Sequence, residues 1–214
     1  MNPTVKSIEP FDTQVIDLHD SSRLHALRDR LAPAAGFHRL WAVGDLNMLE
    51  NRLIAFFCSS KCPGQVILRV YDLARSLRDG GASVIGGFHS PMEKEFLDFL
   101  LRGDQPVVIC PARGIDGMRL PPAWRKGISD KRLLLLSPFE PNRRRPTKEL
   151  AEARNRLVVE VCDSVLVAHA AEGGKLEEFC AGLISAGRAV YTLNLPENIS
   201  LIDKGALIYR HPED

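Results

Sequence analysis

Six short apolar runs, separated by segments with helical periodicity, constrain the fold of this 214-residue chain more than any other feature. The runs are uniformly apolar rather than alternating, which is typical of parallel strands buried on both faces of a sheet. In chain order they are LIAFFC, ASVIGG, PVVIC, LLLL, DSVLVAHA and AVYTLNL. The pattern predicts an α/β fold with a doubly wound, mostly parallel sheet and helices on both faces.

The segments between the runs carry helix signals. Apolar residues recur at helical spacing over 66–77, and glycines 80 and 81 end that helix. Pro91 stands where a first-turn proline belongs, and another helix is predicted from about Thr147 to Val161.

The pattern before residue 50 is weaker and predicts only two short helices, at 21–31 and 46–49. We therefore expect residues 1–40 to be an N-terminal extension of helix and loop. Residues 41–214 are expected to form one Rossmann-like domain.

Nothing in the sequence points to secretion or to a membrane. The opening residues lack the apolar stretch of a signal peptide, and no apolar run approaches the roughly 20 residues that span a bilayer. The five cysteines are an odd number and widely spread, as in reduced proteins. Cys58 and Cys62 form one close pair without a second, which disfavours a zinc site. We expect a cytoplasmic protein without a metal or cofactor.

Ligands of open α/β sheets bind at the carboxyl ends of the strands, so the turns after the strands are the candidate sites. The first of these turns contains Ser59, Ser60 and Lys61. Two hydroxyls and an ammonium beside a helix N-terminus can hold a phosphate, although a plain turn with an N-cap serine fits the same residues. The turn lacks the glycine order of a dinucleotide or P-loop site.

The second turn contains two glycines, Gly86 and Gly87, followed by His89 and Ser90. Glycines permit close approach of a ligand to the backbone. Ser90 and Glu93 also have capping-box spacing, and that structural role alone accounts for both.

Later turns add basic side chains and a second glycine pair. Gly173 and Gly174, with Lys175, precede a helix, where backbone N–H groups either start the helix or face an anion. The arginines expected near the same edge are Arg113 after the third strand, Arg143 and Arg144 after the fourth, and Arg154 and Arg156 on the next helix.

The order of the motifs resembles the DprA/Smf family of DNA-processing proteins. The matching segments are G-D-L-N-M-L-E at 44–50, R-N-R-L-V at 154–158, G-G-K-L at 173–176, G-R-A-V at 187–190 and L-I-D-K-G-A at 201–206. The first turn departs from the family's G-S/T-R, because Lys61 keeps the charge but lacks the guanidinium fork.

The resemblance implies a Rossmann-like fold that binds single-stranded DNA in recombination and natural transformation. It also implies a homodimer, a RecA-type recombinase as partner, and no catalytic residue. The segment E-G-G-K-L-E-E-F at 172–179 resembles more loosely the LOG-type phosphoribohydrolases. This keeps a nucleotide ligand open as the alternative, either for hydrolysis of a nucleoside monophosphate or for sensing, with Glu172, Glu177 or Glu178 near the ribose.

The charge distribution favours the DNA hypothesis. The net charge of the chain is only +1, yet residues 113–156 carry twelve basic and five acidic side chains, a net charge of +7. The remainder carries −6. A localised basic segment suits phosphate contacts, although arginines in a loop are more often simply solvated. Phe88, Trp124 and Phe139 are the nearest aromatic candidates for stacking on bases.

Overall fold

The computed structural model describes residues 11–18, 31 and 36–210. The described strands are β1 (Gln14–Asp17), β2 (Arg39–Val43), β3 (Leu53–Cys58), β4 (Ser83–Gly86), β5 (Val107–Ile109), β6 (Leu133–Ser137), β7 (Ser164–His169), β8 (Val190–Thr192) and β9 (Leu207–Ile208). The described helices are α1 (Gly64–Asp79), α2 (Pro91–Leu100), α3 (Pro122–Ser129), α4 (Lys148–Val161), α5 (Lys175–Ser185) and α6 (Ile199–Asp203).

The strands form one sheet in the order β1-β2-β6-β5-β4-β3-β7-β8-β9. All pairs from β6 to β9 are parallel, and β1 and β2 add an antiparallel edge. The chain builds outward from β3 to β6 and then returns through α4 to β7, on the other side of β3. The predicted doubly wound, mostly parallel α/β fold is therefore confirmed, and its switch point lies between β3 and β7.

Helices cover both faces of the sheet. Helices α1, α2 and α3 contribute buried residues to one apolar cluster, and α4, α5 and α6 contribute to the other. On the first face, the rings of Phe56 and Phe96 stack with centroids 3.6 Å apart. Burial of both faces explains why the central strands read as continuous apolar runs.

Five short elements were not predicted from the sequence, namely strands β1, β2 and β9 and helices α3 and α6, the last of five residues. Strands β1 and β9 are two to four residues long and β2 has a mixed sequence, so none produces a long apolar run. Helix α3 has only eight residues. Strand β1 lies within the segment expected to be helix and loop, while the predicted helix at 21–31 falls outside the described residues except for Leu31. The boundary at residue 40 stays a prediction, and no described helix is long and apolar enough to cross a membrane.

Candidate functional site

The turns after β3 and β7 lie side by side at the switch point, and Ser59 joins them. Its N–H donates to the carbonyl of His169, and its hydroxyl accepts from the N–H of Ala171, both at 2.9 Å. Ser59 is therefore a bridge between two turns rather than a helix cap. The N-cap of α1 is Pro63, which supplies no side-chain cap. The positive end of α1 consequently faces the turn that carries the exposed Ser60 and Lys61.

The turn after β4 is fastened to β3 by a buried carboxylate. The capping box is present, because Ser90 accepts from the N–H of Glu93 and Glu93 accepts from the N–H of Ser90. The same carboxylate also accepts from the N–H groups of Cys58 at 3.0 Å and His89 at 2.8 Å. Glu93 is 7% exposed, so this one group satisfies three backbone donors away from water. The His89 side chain itself is exposed.

A buried guanidinium lies directly behind this turn. Arg154 is 5% exposed; it donates to the carbonyl of Cys110 at 3.1 Å and to the amide oxygen of Asn155 at 2.8 Å. A Cβ atom added at Gly87 would overlap its guanidinium group, so the glycine leaves the space that this group occupies. The end of β4 at Gly86 is also buried, with the ring of Phe88 against it.

The charge of Arg154 has no carboxylate within ion-pair distance in the part of the chain that the structure describes. Burial lowers the pKa of its guanidinium, while the more distant negative charge of Glu93 opposes that shift. Because arginine remains protonated in proteins, this group is a buried cation. One glycine backbone separates it from the turns at the sheet edge.

The turn after β7 is held by a second buried carboxylate. Glu177 accepts from the N–H of Gly173 at 2.9 Å, from the hydroxyl of Ser200 at 2.6 Å, and from the ammonium of Lys204 at 3.1 Å. The hydrogen bond from Ser200 is the largest cause that holds the pKa of Glu177 below its ordinary value. Gly173 has a positive φ of 66°, and Gly174 is the N-cap of α5. Both oxygens of Glu177 are thus engaged in holding the turn.

Two lysines meet at the starts of α4 and α5. Lys148 and Lys175 are the first residues of these helices, and the contact between them lowers the pKa of Lys175 while it raises that of Lys148. The Lys148 ammonium lies 3.9 Å from a carboxylate oxygen of Glu152. Like charges at two helix N-termini repel one another and the helix dipoles, and a bound anion would relieve both effects.

We call this assembly the crevice. It comprises the turns 59–63, 86–90 and 170–174, with the Arg154 guanidinium behind them. Of the fifteen residues predicted from the sequence, the structure brings eleven to the crevice or to its rim at α5: Ser59, Ser60, Lys61, Gly86, Gly87, His89, Ser90, Arg154, Gly173, Gly174 and Lys175. Whether they bind a ligand stays a prediction.

The other predicted arginines lie elsewhere. Arg113 is half-buried and its side chain donates to the carbonyl of Gly114 at 3.2 Å. Arg143 and Arg144 are exposed in the loop after β6, which we call the arginine loop (residues 138–147). Arg156 is exposed on α4, two residues from the buried Arg154 and therefore on another face of the helix.

The prediction that aromatic side chains stack on bases is wrong for two of the three candidates. Phe88 and Phe139 are 5% and 8% exposed, so their rings pack in the interior and cannot stack on a base. Trp124 is half-buried.

Two contributions to this site were not predicted from the sequence. Glu93 was identified as a cap, but its bond to the Cys58 N–H requires β3 and β4 to be neighbours. Lys148 was counted only in the net charge of residues 113–156. Its position beside Lys175 depends on how α4 and α5 pack. The strand order was the missing information in both cases.

A family comparison points to DNA processing. The family model described as DNA recombination-mediator protein A matches residues 26–214. No curated protein matches the sequence significantly.

Solved structures of low sequence identity share the fold. DNA processing protein A from Streptococcus pneumoniae is 20% identical with a TM-score of 0.73, over 96% of this chain and 73% of that one. The Helicobacter pylori protein is 19% identical with a TM-score of 0.70, over 92% and 90% of the two chains, and its structure concerns a single-stranded DNA binding mode. The molybdenum cofactor binding protein of Rippkaea orientalis is more distant, at 13% identity and a TM-score of 0.51, over 76% and 91%.

Proposed function

The chain belongs to the DNA recombination-mediator protein A family, and on that premise we propose that it binds single-stranded DNA through phosphate contacts in the crevice. It does so as a binding protein and catalyses no reaction. The arginine loop extends the contact along the strand. We further propose the finer features that the family resemblance implies, namely a homodimer, a RecA-type recombinase as partner and a cytoplasmic location.

The buried guanidinium of Arg154 is the observation that carries the proposal. Burying a charge without a carboxylate partner is costly, and such groups are normally paired. Arg154 uses only two hydrogen bonds in the described structure, and the absence of a side chain at Gly87 leaves its planar fork close to the turns. A phosphate seated against Gly87 would supply the missing negative charge.

The surroundings of Gly87 support a phosphate rather than a carboxylate-lined metal site or a base pocket. The uncapped start of α1, Lys61, and the Lys148–Lys175 pair all favour negative charge at this edge. The two buried carboxylates, Glu93 and Glu177, accept hydrogen bonds from backbone N–H groups. The dipoles of these N–H groups offset part of the repulsion between each carboxylate and an anion.

Fluorescence anisotropy with a short labelled oligothymidylate tests the proposal. We expect binding that weakens steeply as salt rises from about 50 to 200 mM, because phosphate contacts release counterions. The same oligonucleotide annealed to its complement is the matched control. It should bind more weakly, because the proposal concerns a single strand, whose phosphates are free to adjust to the turns of the crevice.

A nucleoside monophosphate provides the contrary outcome. The proposal fails if the oligonucleotide does not bind at low salt while the monophosphate binds, and release of free base would show a hydrolase instead.

A further inference from the structure

Two thiols flank the first turn of the crevice and lie next to each other. The sulfur atoms of Cys58 and Cys62 are 3.8 Å apart. Cys58 is buried at the end of β3, and Cys62 is half-buried just before α1. The three residues between them, Ser59, Ser60 and Lys61, are those that present hydroxyls and an ammonium at the crevice. The other three cysteines are buried apart from this pair.

We propose that Cys58 and Cys62 are a peroxide-sensitive thiol pair whose disulfide fastens this turn to the end of β3. A disulfide requires an S–S separation of about 2 Å, so the two sulfur atoms must approach by roughly another 2 Å. Rotation of the half-buried Cys62 side chain can supply most of that movement. The backbone of the partner is already fixed, because the Cys58 N–H is bonded to Glu93.

The chemistry balances with a peroxide as the oxidant. The Cys62 thiolate attacks the peroxide, an S–O bond forms, the O–O bond breaks and water is released, leaving a sulfenic acid. The Cys58 sulfur then attacks the Cys62 sulfur, the S–O bond breaks and a second water leaves with the Cys58 proton. The net reaction converts two thiols and one peroxide into one disulfide and two waters.

The exposure of the two thiols indicates which of them reacts first. Cys62 is the more accessible and meets the peroxide first, while the buried Cys58 resolves the sulfenic acid. Burial raises the pKa of both thiols. Less thiolate is therefore present at neutral pH, and oxidation is expected to be faster at alkaline pH.

The disulfide should strengthen DNA binding, an effect that rests on the proposed function although the disulfide itself does not. Ser59 already ties the turn to β7, and the new bond would fix its other end. A turn ordered before binding loses less entropy when a phosphate arrives. Pre-ordering one or two side chains corresponds to an affinity gain of about two- to tenfold.

Peptide mapping of the full chain after peroxide treatment tests the site directly. Trypsin cuts between Lys61 and Cys62, so the reduced protein gives the separate peptides 53–61 and 62–69. The oxidised protein should give them joined, with the loss of two hydrogen atoms, and a dithiol reductant should separate them. Cys62→Ser should abolish the joined peptide, whereas Cys180→Ala, which removes a buried thiol elsewhere, should retain it.

Oligothymidylate affinity before and after oxidation is the second readout. We expect tighter binding by the oxidised protein and no response in Cys62→Ser. Peptides that stay separate overturn the thiol pair, and a joined peptide with unchanged or weaker DNA affinity overturns the proposed effect of the disulfide on binding. If the reduced protein binds no DNA, the proposed function fails, while the joined peptide still decides whether the thiol pair exists.

Discussion

The crevice and the arginine loop both offer positive charge at the carboxyl edge of the sheet, but they are built in opposite ways. In the crevice, Arg154, Glu93 and Glu177 are buried and each holds specific backbone groups. In the arginine loop, the residues from Pro141 to Thr147 are all exposed, and no described carboxylate pairs with its arginines.

The contrast separates two kinds of electrostatic contribution. A hydrogen bond to a buried charge contributes about 1.5–3 kcal/mol, whereas an exposed ion pair contributes about 0–1 kcal/mol and is screened by salt. The crevice should therefore determine where a phosphate sits. The arginine loop should mainly determine how strongly the affinity depends on salt.

The largest effect is expected from the carboxylate that holds the crevice together. Glu93→Gln leaves at least one buried N–H without an acceptor and removes a negative charge whose field favours the Arg154 cation without pairing with it. We expect a loss of about 3–5 kcal/mol in the free energy of unfolding, measured in urea. Glu95→Gln, on the exposed face of the same helix, is the control. Similar stability of the two variants would show that Glu93 does not hold the turns.

The next effect concerns the buried guanidinium. Arg154→Lys keeps a positive charge but loses the fork, so oligothymidylate affinity should fall about 10- to 100-fold. Arg156→Lys, two residues along and exposed, should change affinity less than twofold, as expected for an exposed charge that is retained. Equal affinities of the two variants, measured by anisotropy, would remove Arg154 from the site.

A smaller, pH-dependent effect is expected at the turn after β7. The lowered pKa of Glu177 means that its carboxylate stabilises the fold above the ordinary glutamate pKa and loses this contribution as pH falls through the lowered value. Glu177→Gln should cost about 1–2 kcal/mol at neutral pH, and the difference from the unmodified chain should shrink in acid. Exposed Glu178→Gln provides the baseline in the same urea titrations. A difference in the free energy of unfolding that stayed constant with pH would contradict this role of Glu177.

The smallest effect is expected from the arginine loop. The double substitution Arg143→Ala with Arg144→Ala should reduce the magnitude of the salt slope by about 1.4, because each phosphate contact on a single strand contributes about 0.7. Affinity at low salt should fall only a few-fold. Arg52→Ala, at the opposite edge of the sheet, should leave the slope unchanged. If Arg52→Ala reduced the salt slope as much per arginine removed, the slope would depend on the total charge of the protein and not on the arginine loop.

The sequence predicted the buried parts of the fold better than its edges. Strands β3 to β8 were predicted because their burial produces continuous apolar runs, whereas β1, β2 and β9 lie at or near the edges of the sheet and carry weaker patterns. The Ser90–Glu93 capping box could be predicted because its residues are close in sequence. The contacts of Arg154 with Gly87 and Cys110 were not, because they join three elements that only the strand order brings together.

Gly87→Ala tests the central claim most directly, because its added methyl group would occupy the position of the Arg154 guanidinium without changing any charge. Gly182→Ala is the matched control, since a methyl group there meets open space on α5. The measurement is oligothymidylate affinity, with both variants shown to be folded by circular dichroism. We predict that Gly87→Ala loses at least about tenfold in affinity while Gly182→Ala loses none. Equal, undiminished affinity in both variants would contradict a phosphate site at the crevice.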